Sequence, residues 1–489
     1  MNISSTTVKG FSWSALGKWG SQLINFLVLV IFARVLGPEA FGLLAMANVF
    51  VNIIYIFLDQ GYNATIIQRK DICNEILDTA FWSNMLVGFL FTFFGVIFSS
   101  VIARLYSEPQ LESIIRYLSM NFFILAVGGI QQALLRRNFK FKLLAISTLT
   151  SSFIGGSIGV YLALSGAGVW SLVIQIISSS VINVGIMWIT SGWKPKLFFS
   201  WDYFLDLSKF GINIIGNRVL SFFDLQFDEL LIGYSYGATS LGYYSIAKSI
   251  IVRLAGFISG ATTTVTMSLF SKLQENKQQL LHTFYKVIEI TALIVFPLFS
   301  GIMVISSELI NIFFGPQWGI SVPILMILAP TGIALSLLHY HENIIIAFGF
   351  PQNVFRVRLI NSVIRVTIIV FILKLGLNHI AFAVLFSSLT LMYSLILLVK
   401  KIMGVRLGKY FRSIIYPTLS SMIMVLLVLL VKRIFFNIGF SILGTIFMIC
   451  LSVGIYLGSI TIFCPRMLNS LIGDLLQIIK VEEKIIIQN

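Results

Sequence analysis

The chain has 489 residues, of which 57% are hydrophobic and only 11% are charged. A soluble protein of average composition carries about 25% charged residues, so this chain cannot cover a water-exposed surface or bury so much apolar surface in one core. These numbers exclude an ordinary soluble enzyme, a disordered protein and a secreted disulfide scaffold. They predict an all-α polytopic membrane protein.

Long apolar runs occupy nearly the whole sequence. Because a membrane span needs about 20 mostly apolar residues, they predict about fourteen transmembrane helices. The first run is too long for the core of a signal peptide and is interpreted as the first span. In chain order the runs lie near residues 12–32, 41–59, 80–102, 114–134, 144–164, 168–190, 210–232, 242–270, 283–305, 320–341, 355–374, 379–399, 413–431 and 440–463.

Basic residues are distributed unevenly between the predicted loops. The chain carries 34 Lys and Arg against 19 Asp and Glu, and most of the basic residues fall in inner segments when the N-terminus is placed inside. Cytoplasmic loops are enriched in Lys and Arg, so both termini are predicted to be cytoplasmic. The net charge of +15 is thus attributed to membrane orientation and not to nucleic-acid binding. The outer loops hold only Arg34, Arg104, Lys374, Lys432 and Arg433.

An internal repeat is visible at an offset of 200 residues. Six spans per half is an even number, so both halves would face the same way, as in transporters built from parallel repeats. We therefore predict one six-helix bundle in residues 1–200, a second in residues 201–400, and two extra helices with a cytoplasmic tail in residues 401–489. The small residues that recur at this offset are Gly37, Gly42 and Ala47, which return as Gly237, Gly242 and Ala247.

Ionisable residues inside predicted spans mark candidate cavity positions, because a charge facing lipid is costly. Asp224 and Asp228 are four residues apart and therefore share a helix face. The alternative is that these charges form ion pairs between the seventh and eighth spans. The densest group comprises Arg218, Asp224, Asp228, Glu229, Lys248 and Arg253, and single charges elsewhere are Lys18, Asp59, Glu289 and Arg365.

Motifs for catalysis are missing from the sequence. It contains neither a Gly-Lys-Ser/Thr phosphate loop nor a Gly-x-Ser-x-Gly turn, and its first outer loop, residues 34–40, offers only Glu39. His339 and His341 are two residues apart on a predicted helix, so their side chains point roughly 200° from each other. We interpret them as a solvated helix end, and we expect no metal, no cofactor and no enzymatic activity.

Eight short segments occur in an order and spacing that is specific when taken together: residues 33–42, 59–70, 135–142, 166–173, 193–195, 228–233, 241–244 and 314–318. In these segments the chain resembles bacterial polysaccharide exporters of the Wzx type, in the multidrug/oligosaccharidyl-lipid/polysaccharide exporter superfamily. The resemblance runs from about residue 9 to residue 400 and is strongest to the branch of colanic-acid and teichuronic-acid exporters. Tyr234 stands where members often carry a basic residue, and the tail after residue 400 matches no motif.

The resemblance implies a MATE-like fold and a flippase in the inner membrane. Such a protein moves or exports undecaprenyl-pyrophosphate-linked oligosaccharides for O-antigen, capsule or exopolysaccharide. A polysaccharide polymerase and a chain-length regulator are implied as partners. Two alternatives stay open: a multidrug cation antiporter of the same superfamily, and a membrane glycan polymerase or ligase.

The cargo implied by the resemblance assigns roles to the intramembrane charges. Basic side chains would line a wet cavity and meet the pyrophosphate, since Arg binds phosphate through paired hydrogen bonds. Asp224 or Asp228 would bind a coupling proton or sodium ion. The basic residues expected in the cavity are Lys18, Arg218, Lys248, Arg253 and Arg365.

Overall fold

The computed structural model describes residues 3–58, 62–69, 72–273, 276–434 and 442–463. Every regular element in these residues is a helix, so the predicted all-α fold class is confirmed. The chain forms two compact units. Unit 1 comprises Met1–Ile246 and Val366–Leu377, and unit 2 comprises Ala247–Arg365 and Asn378–Asn489. The division at residues 200 and 400 follows the sequence repeat and stays a prediction.

The helices follow one another with short connections. Short helical turns also occur at Ile310–Phe314, Pro316–Trp318 and Leu373–Leu375. The α-helices are α1 (Ile3–Leu58), α2 (Tyr62–Gln68), α3 (Asn74–Tyr106), α4 (Pro109–Arg137), α5 (Phe141–Leu164), α6 (Trp170–Ser191), α7 (Trp201–Lys272), α8 (Lys277–Val304), α9 (Ser306–Leu309), α10 (Ser321–Ala347), α11 (Pro351–Ile372), α12 (Leu377–Met403), α13 (Leu407–Ile434) and α14 (Ile442–Phe463).

Two of these helices, α1 and α7, each contain two predicted spans joined at a single glycine. Gly37 has φ 73° and ψ 178°, and Gly237 has φ 77° and ψ −179°. Glycine adopts a positive φ without the clash that a β-carbon causes, so one residue is enough to bend the chain sharply. The prediction of an outer loop at residues 34–40 is therefore wrong. Helix resumes at once, with Pro38 in the first position, where proline is tolerated.

Eleven helices in the described residues are long and apolar enough to cross a membrane. Helices α1 and α7 each contribute one of the eleven although each carries two predicted spans, and α11 is not among them. The prediction of a multi-pass membrane protein is confirmed. The count of fourteen spans stays a prediction.

Unit 1 is held together by close packing of small residues. Helix α3 packs along α4, and α5 packs against both α1 and α6. A β-carbon on Gly17 would lie 2.8 Å from Ala145, and one on Gly155 would lie 2.0 Å from the hydroxyl oxygen of Ser179. Lipid tails are as apolar as leucine, so such close approach, together with hydrogen bonds between helices, drives association inside a membrane.

In unit 2 the last two helices are integral parts of the packing. Helices α10 and α13 both pack against α8, and α14 packs against α13. The Tyr456 hydroxyl donates to the Leu293 carbonyl oxygen at 3.0 Å, which ties α14 to α8. The Lys432 ammonium donates to the Glu308 carboxylate at 2.6 Å, which ties the end of α13 to α9.

Candidate functional site

The bends of α1 and α7 meet in unit 1 through equivalent residues of the repeat. A β-carbon on Gly42 would lie 1.7 Å from the carbonyl oxygen of Ala238, and one on Gly242 would lie 1.9 Å from the carbonyl oxygen of Pro38. Positions 38 and 238, like 42 and 242, are 200 residues apart, so the two bends contact each other through positions that are equivalent in the sequence repeat. We call these four residues the reciprocal joint. No side chain larger than hydrogen fits at either glycine.

Two tyrosines reinforce the end of unit 1 that contains the joint, here called the top. The Tyr106 hydroxyl donates to the Leu230 carbonyl oxygen at 3.4 Å, and its ring packs edge-on against Phe50, with centroids 5.8 Å apart. The Tyr236 hydroxyl donates to the carbonyl oxygen of Leu373. These contacts link α3, α1, α7 and the short helical turn Leu373–Leu375 at the top of unit 1.

A buried carboxylate lies just below the joint. The Tyr244 hydroxyl donates to Asp228 Oδ2 at 2.5 Å, and both side chains are fully buried. The two residues belong to opposite limbs of the bent helix, so the bend at Gly237 brings them together. Asp224, one helical turn before Asp228 on the same face, is buried as well.

The predicted basic residues are divided between the two units. Lys18 lies in unit 1 and is exposed. Lys248 and Arg365 lie in unit 2 and are buried, whereas Arg253, also in unit 2, is exposed. The structure therefore places Asp224 and Asp228 on one helix face, and the cavity formed by the basic residues stays a prediction. The side chain of Arg218, and Asp59 as a whole, lie outside the described residues.

The opposite end of unit 1, the base, is organised by the short helix α2. The guanidinium of Arg137, at the end of α4, donates to the carbonyl oxygen of Ile66 at 2.6 Å and to that of Arg69. These carbonyls belong to the end of α2, where backbone acceptors lack helical partners. Arg69 also forms an ion pair with Asp206 at the start of α7. Arg137 thus connects the end of α4 to the end of α2 at the base.

The connector between α6 and α7 is fastened to the first turns of α3. Asp78 accepts a hydrogen bond from the backbone nitrogen of Lys196 at 2.9 Å, and the Trp82 indole nitrogen donates to the Lys196 carbonyl oxygen at 2.8 Å. The backbone nitrogen of Ser200 donates to the Thr79 hydroxyl at 3.3 Å. These three hydrogen bonds fix the connector against the start of α3 in unit 1.

Three of the sequence segments that carry the family resemblance therefore meet at this base. They are the segment 59–70, through its described residues 62–69, the segment 135–142, which contains Arg137, and the segment 193–195, in which Trp193 packs on the same apolar cluster as Tyr62 and Ile66. The sequence alone did not indicate that Arg137 binds the end of α2 or that Asp78 binds the connector. The paired basic residues at positions 136 and 137, directly after the predicted end of the fourth span, were the available signal for the first of these contacts.

In unit 2, the polar residues near the end of α10 face neighbouring helices. The imidazole of His341 is 0% exposed, with Nδ1 2.9 Å from the Leu337 carbonyl oxygen and Nε2 3.0 Å from the Tyr410 hydroxyl. Glu342 accepts a hydrogen bond from Arg358 Nε at 2.5 Å. The interpretation of this region as a solvated helix end is wrong for His341, because α13 covers it.

Comparison with known families gives a match over more than half of the chain. The family model described as "Polysaccharide biosynthesis protein" matches residues 31–323. The succinoglycan biosynthesis transport protein ExoT of Rhizobium meliloti is 25% identical over 324 residues, 66% of this chain and 66% of that protein. The lipopolysaccharide biosynthesis protein WzxC of Escherichia coli is 24% identical over 367 residues, 73% of this chain and 74% of that protein.

Two solved structures share the fold. The lipid II flippase MurJ, in an inward closed conformation, superposes with a TM-score of 0.76 at 17% identity, over 93% of this chain and 99% of MurJ. An inward-facing multidrug resistance MATE family transporter of the MOP superfamily superposes with a TM-score of 0.63 at 15% identity, over 78% of this chain and 94% of that transporter. The MATE-like fold predicted from the sequence is confirmed.

Proposed function

Because this chain belongs to the polysaccharide biosynthesis protein family, we propose that it flips or exports undecaprenyl-pyrophosphate-linked oligosaccharides across the inner membrane by alternating access. The glycans would be repeat units of O-antigen, capsule or exopolysaccharide. In this proposal both termini and the base of unit 1 face the cytoplasm, and the top faces outward. The names of the relatives ExoT and WzxC, which refer to succinoglycan transport and lipopolysaccharide biosynthesis, support a glycan as cargo.

The observation that carries the proposal is the reciprocal joint. The two copies of the repeat meet there, because Gly42 contacts Ala238 and Gly242 contacts Pro38. A transporter of two repeats alternates by moving one repeat against the other around a fixed site. The reciprocal joint would act as the outer gate of such a transporter. Its contacts are between backbone atoms, so the two bends can separate without the rearrangement of interdigitated side chains. The outer end is closed in this state and opens when the joint separates.

The physical problem that such a protein solves is the passage of a polar headgroup through hydrocarbon. A buried hydroxyl or amide without a hydrogen bond costs several kcal/mol, and an anionic pyrophosphate costs far more. A wet passage removes that barrier while the prenyl tail stays in lipid. Outward movement of anionic charge from a negative-inside cell is favourable by roughly 2.3 kcal/mol per charge per 100 mV, so hydrolysis of ATP is not required.

Within this proposal the intramembrane charges divide into two roles. Asp228, held by Tyr244 across the bend, and Asp224 one turn away would take up the coupling proton or sodium ion. A hydrogen-bonded acid at the bend couples its own ionisation to the shape of α7. The residues that would meet the pyrophosphate are Lys18, Arg218, Lys248, Arg253 and Arg365.

The proposed partners are the enzymes that use the product. A polysaccharide polymerase and a chain-length regulator would act on the glycan after it crosses the membrane. The chain itself would perform no bond-making chemistry and would need no cofactor.

The test is depletion of the protein in its own host, with quantification of lipid-linked glycan in each leaflet. The proposal expects glycan to accumulate on the cytoplasmic leaflet and wild-type protein to clear it. Arg218→Ala and Lys248→Ala should each lower polysaccharide yield at unchanged protein level, with Lys400→Ala as a matched charge removal outside the proposed cavity. Normal distribution of the glycan after depletion, or sensitivity of the depleted strain to cationic drugs alone, would overturn the proposal.

A further inference from the structure

The turn that leads from α12 into α13 carries three basic residues on its outer side. Arg406, Lys409 and Arg412 are all exposed and lie within one stretch of seven residues. Lys277, at the start of α8, is exposed as well, and a β-carbon on Gly404 would lie 3.9 Å from its ammonium nitrogen. Basic side chains from two segments thus lie at one end of unit 2. We call Arg406, Lys409 and Arg412 the basic turn.

The basic turn has a fixed position on unit 2. The backbone nitrogen of Arg406 donates to the Tyr285 hydroxyl at 2.9 Å, and the same hydroxyl donates to the Arg406 carbonyl oxygen at 3.4 Å. The Lys409 ammonium lies over the Tyr285 ring, 4.9 Å from its centroid. Val405 and Tyr410 are buried in an apolar cluster with residues of α8, α10 and α12. The apolar side chains therefore face inward, and the basic ones are presented on the outside.

The acids that the structure describes in unit 2 have basic neighbours of their own. These acids and their charged neighbours are Glu308 with Lys432, Glu342 with Arg358, and Glu289 with Lys286 and His282. The sequence carries no Asp or Glu between residues 342 and 474. Glu275 lies outside the described residues, as does the tail after residue 463, which holds as many basic as acidic residues. The charge at the basic turn is therefore positive.

An exposed apolar stripe of α13 begins directly at the basic turn. Arg412 is followed on the same helix face by Ile415, Leu419 and Met422, at spacings of three or four residues. Between 42% and 57% of each of these three apolar side chains is exposed, and α13 is long and apolar enough to cross a membrane. A ligand that covers both surfaces has an anionic head and an apolar chain. An acidic phospholipid has this composition, whereas a soluble anion would leave the stripe uncovered.

We propose that the basic turn binds the headgroup of an acidic phospholipid whose acyl chains lie along the stripe of α13. The lipid phosphate would accept hydrogen bonds from Arg406, Lys409 and Arg412, and such charge-assisted bonds are the strong ones. Clusters of basic residues directly beside a transmembrane helix are typical of acidic-lipid recognition. The inference needs only that the chain is embedded in a membrane, so it does not depend on the identity of the transported cargo.

The test places a fluorophore beside the basic turn of the full-length chain. Gly408 is exposed, and nothing lies within 4 Å of a β-carbon added there, so Gly408→Cys can carry the label. The native cysteines at positions 73, 450 and 464 would be replaced by serine. One protein would be placed in each phosphatidylcholine nanodisc, together with increasing fractions of phosphatidylglycerol or phosphatidylcholine that carry a spin label at the top of the acyl chain.

Quenching of the fluorophore measures which lipid lies beside the basic turn. Half-maximal quenching should need at most about one fifth as much labelled phosphatidylglycerol as labelled phosphatidylcholine, because a single basic residue near an acidic leaflet already gives about a fivefold preference. Added sodium chloride should weaken this preference, since salt screens exposed charges.

The matched comparison removes three exposed basic residues from either of two turns. The variant of the basic turn is Arg406→Gln with Lys409→Gln and Arg412→Gln, and the control, at the turn after α4, is Arg136→Gln with Lys140→Gln and Lys142→Gln. Each set includes one lysine that lies over an aromatic ring, Lys409 over Tyr285 and Lys142 over Trp13. The first set keeps the backbone hydrogen bonds of the turn and should abolish the preference for phosphatidylglycerol, whereas the second set should retain it.

Three results would overturn the proposal. The first is equal quenching by the two lipids when all three basic residues are present, or a preference that survives their removal. The second is loss of the preference in both variants, which would show a general effect of net charge. The third is relief of the quenching by inorganic pyrophosphate at constant ionic strength, which would identify a soluble anion as the occupant.

Discussion

A β-carbon on Gly242 would stand 3.2 Å from the backbone nitrogen of Gly42, so these two glycines bring the two bends of the chain into backbone contact. Each glycine also faces a carbonyl oxygen of the opposite bend, at position 238 or 38. The contact is symmetric in sequence, because each residue of one contacting pair lies 200 positions from its equivalent in the other pair. A side chain added at Gly42 or Gly242 would therefore push the two bends apart.

Gly42→Ala should abolish or strongly reduce export at unchanged protein level. The added methyl would lie 1.7 Å from the Ala238 carbonyl oxygen, which is a steric overlap. Gly185→Ala is the matched control, because nothing lies within 4 Å of its added β-carbon. Alanine is favoured over glycine in a helix by about 1 kcal/mol at either site, so helix propensity cannot explain a loss at Gly42 alone. Glycan yield in a complemented deletion strain measures the difference, and equal yields for the two variants would contradict the gate.

Tyr244→Phe should lower the thermal stability of the purified protein. The change removes the hydroxyl that donates to the buried Asp228 carboxylate, and hydrogen bonds to charged groups are worth about 1.5–3 kcal/mol. Tyr234→Phe removes the same atom from a side chain that is 59% exposed, so it should have little effect. Thermal unfolding in detergent, followed by size-exclusion chromatography, compares the two. Identical midpoints would show that the Asp228 contact carries no stability.

Arg137→Gln should destabilise the base of unit 1 by about 2 kcal/mol, because the end of α2 loses a charged donor to two carbonyl oxygens. Arg136→Gln removes an adjacent charge from an exposed position and is expected to be nearly neutral. Limited proteolysis near residue 70, where α2 is followed by the start of α3, would show the local effect. If both variants are cut at the same rate, Arg137 does not fix α2.

Glu308→Gln should loosen the end of α13. It leaves the Lys432 ammonium without its carboxylate, although the Val304 carbonyl oxygen remains at 2.6 Å. Breaking a buried pair by removal of one partner costs about 3–5 kcal/mol, and the partial exposure of Lys432 places the expected loss at or below about 3 kcal/mol. Arg433→Gln, at the neighbouring exposed position, is the control. The free energy of unfolding should recover in part when Glu308→Gln is combined with Lys432→Met.

The two bends lie at glycines that the sequence repeat identifies, although the apolar pattern predicted an outer loop and not a bend at residues 34–40. Gly37 and Gly237 recur in the sequence at the offset of 200 residues, and glycine tolerates their positive φ because it has no β-carbon. The consequence of the bends was not predictable. The contact between Asp228 and Tyr244 joins residues 16 positions apart, and it depends on how sharply the chain bends between them.

The sequence did not predict which basic residues form specific contacts. Counting Lys and Arg to find the inner loops treats Arg136 and Arg137 alike, yet it is Arg137 that donates to the carbonyl oxygens at the end of α2, whereas Arg136 is exposed. The interpretation of His341 as part of a solvated helix end rests on the spacing of His339 and His341 within one helix, and that spacing carries no information about α13, which covers His341. His341 is buried against Tyr410, which is 69 residues later in the chain. The apolar periodicity of one helix does not predict such a contact between distant segments.

The symmetry of the joint bears on ancestry. A half-length protein with one copy of this surface could form the same contact only by pairing with an identical molecule across a two-fold axis, as homodimers do. In such a dimer every substitution would strike both sides at once. Fusion of the halves into one chain releases that constraint, and the two sides already differ, with proline at position 38 and alanine at position 238. Each half is thus free to adapt its side of the contact to a different task.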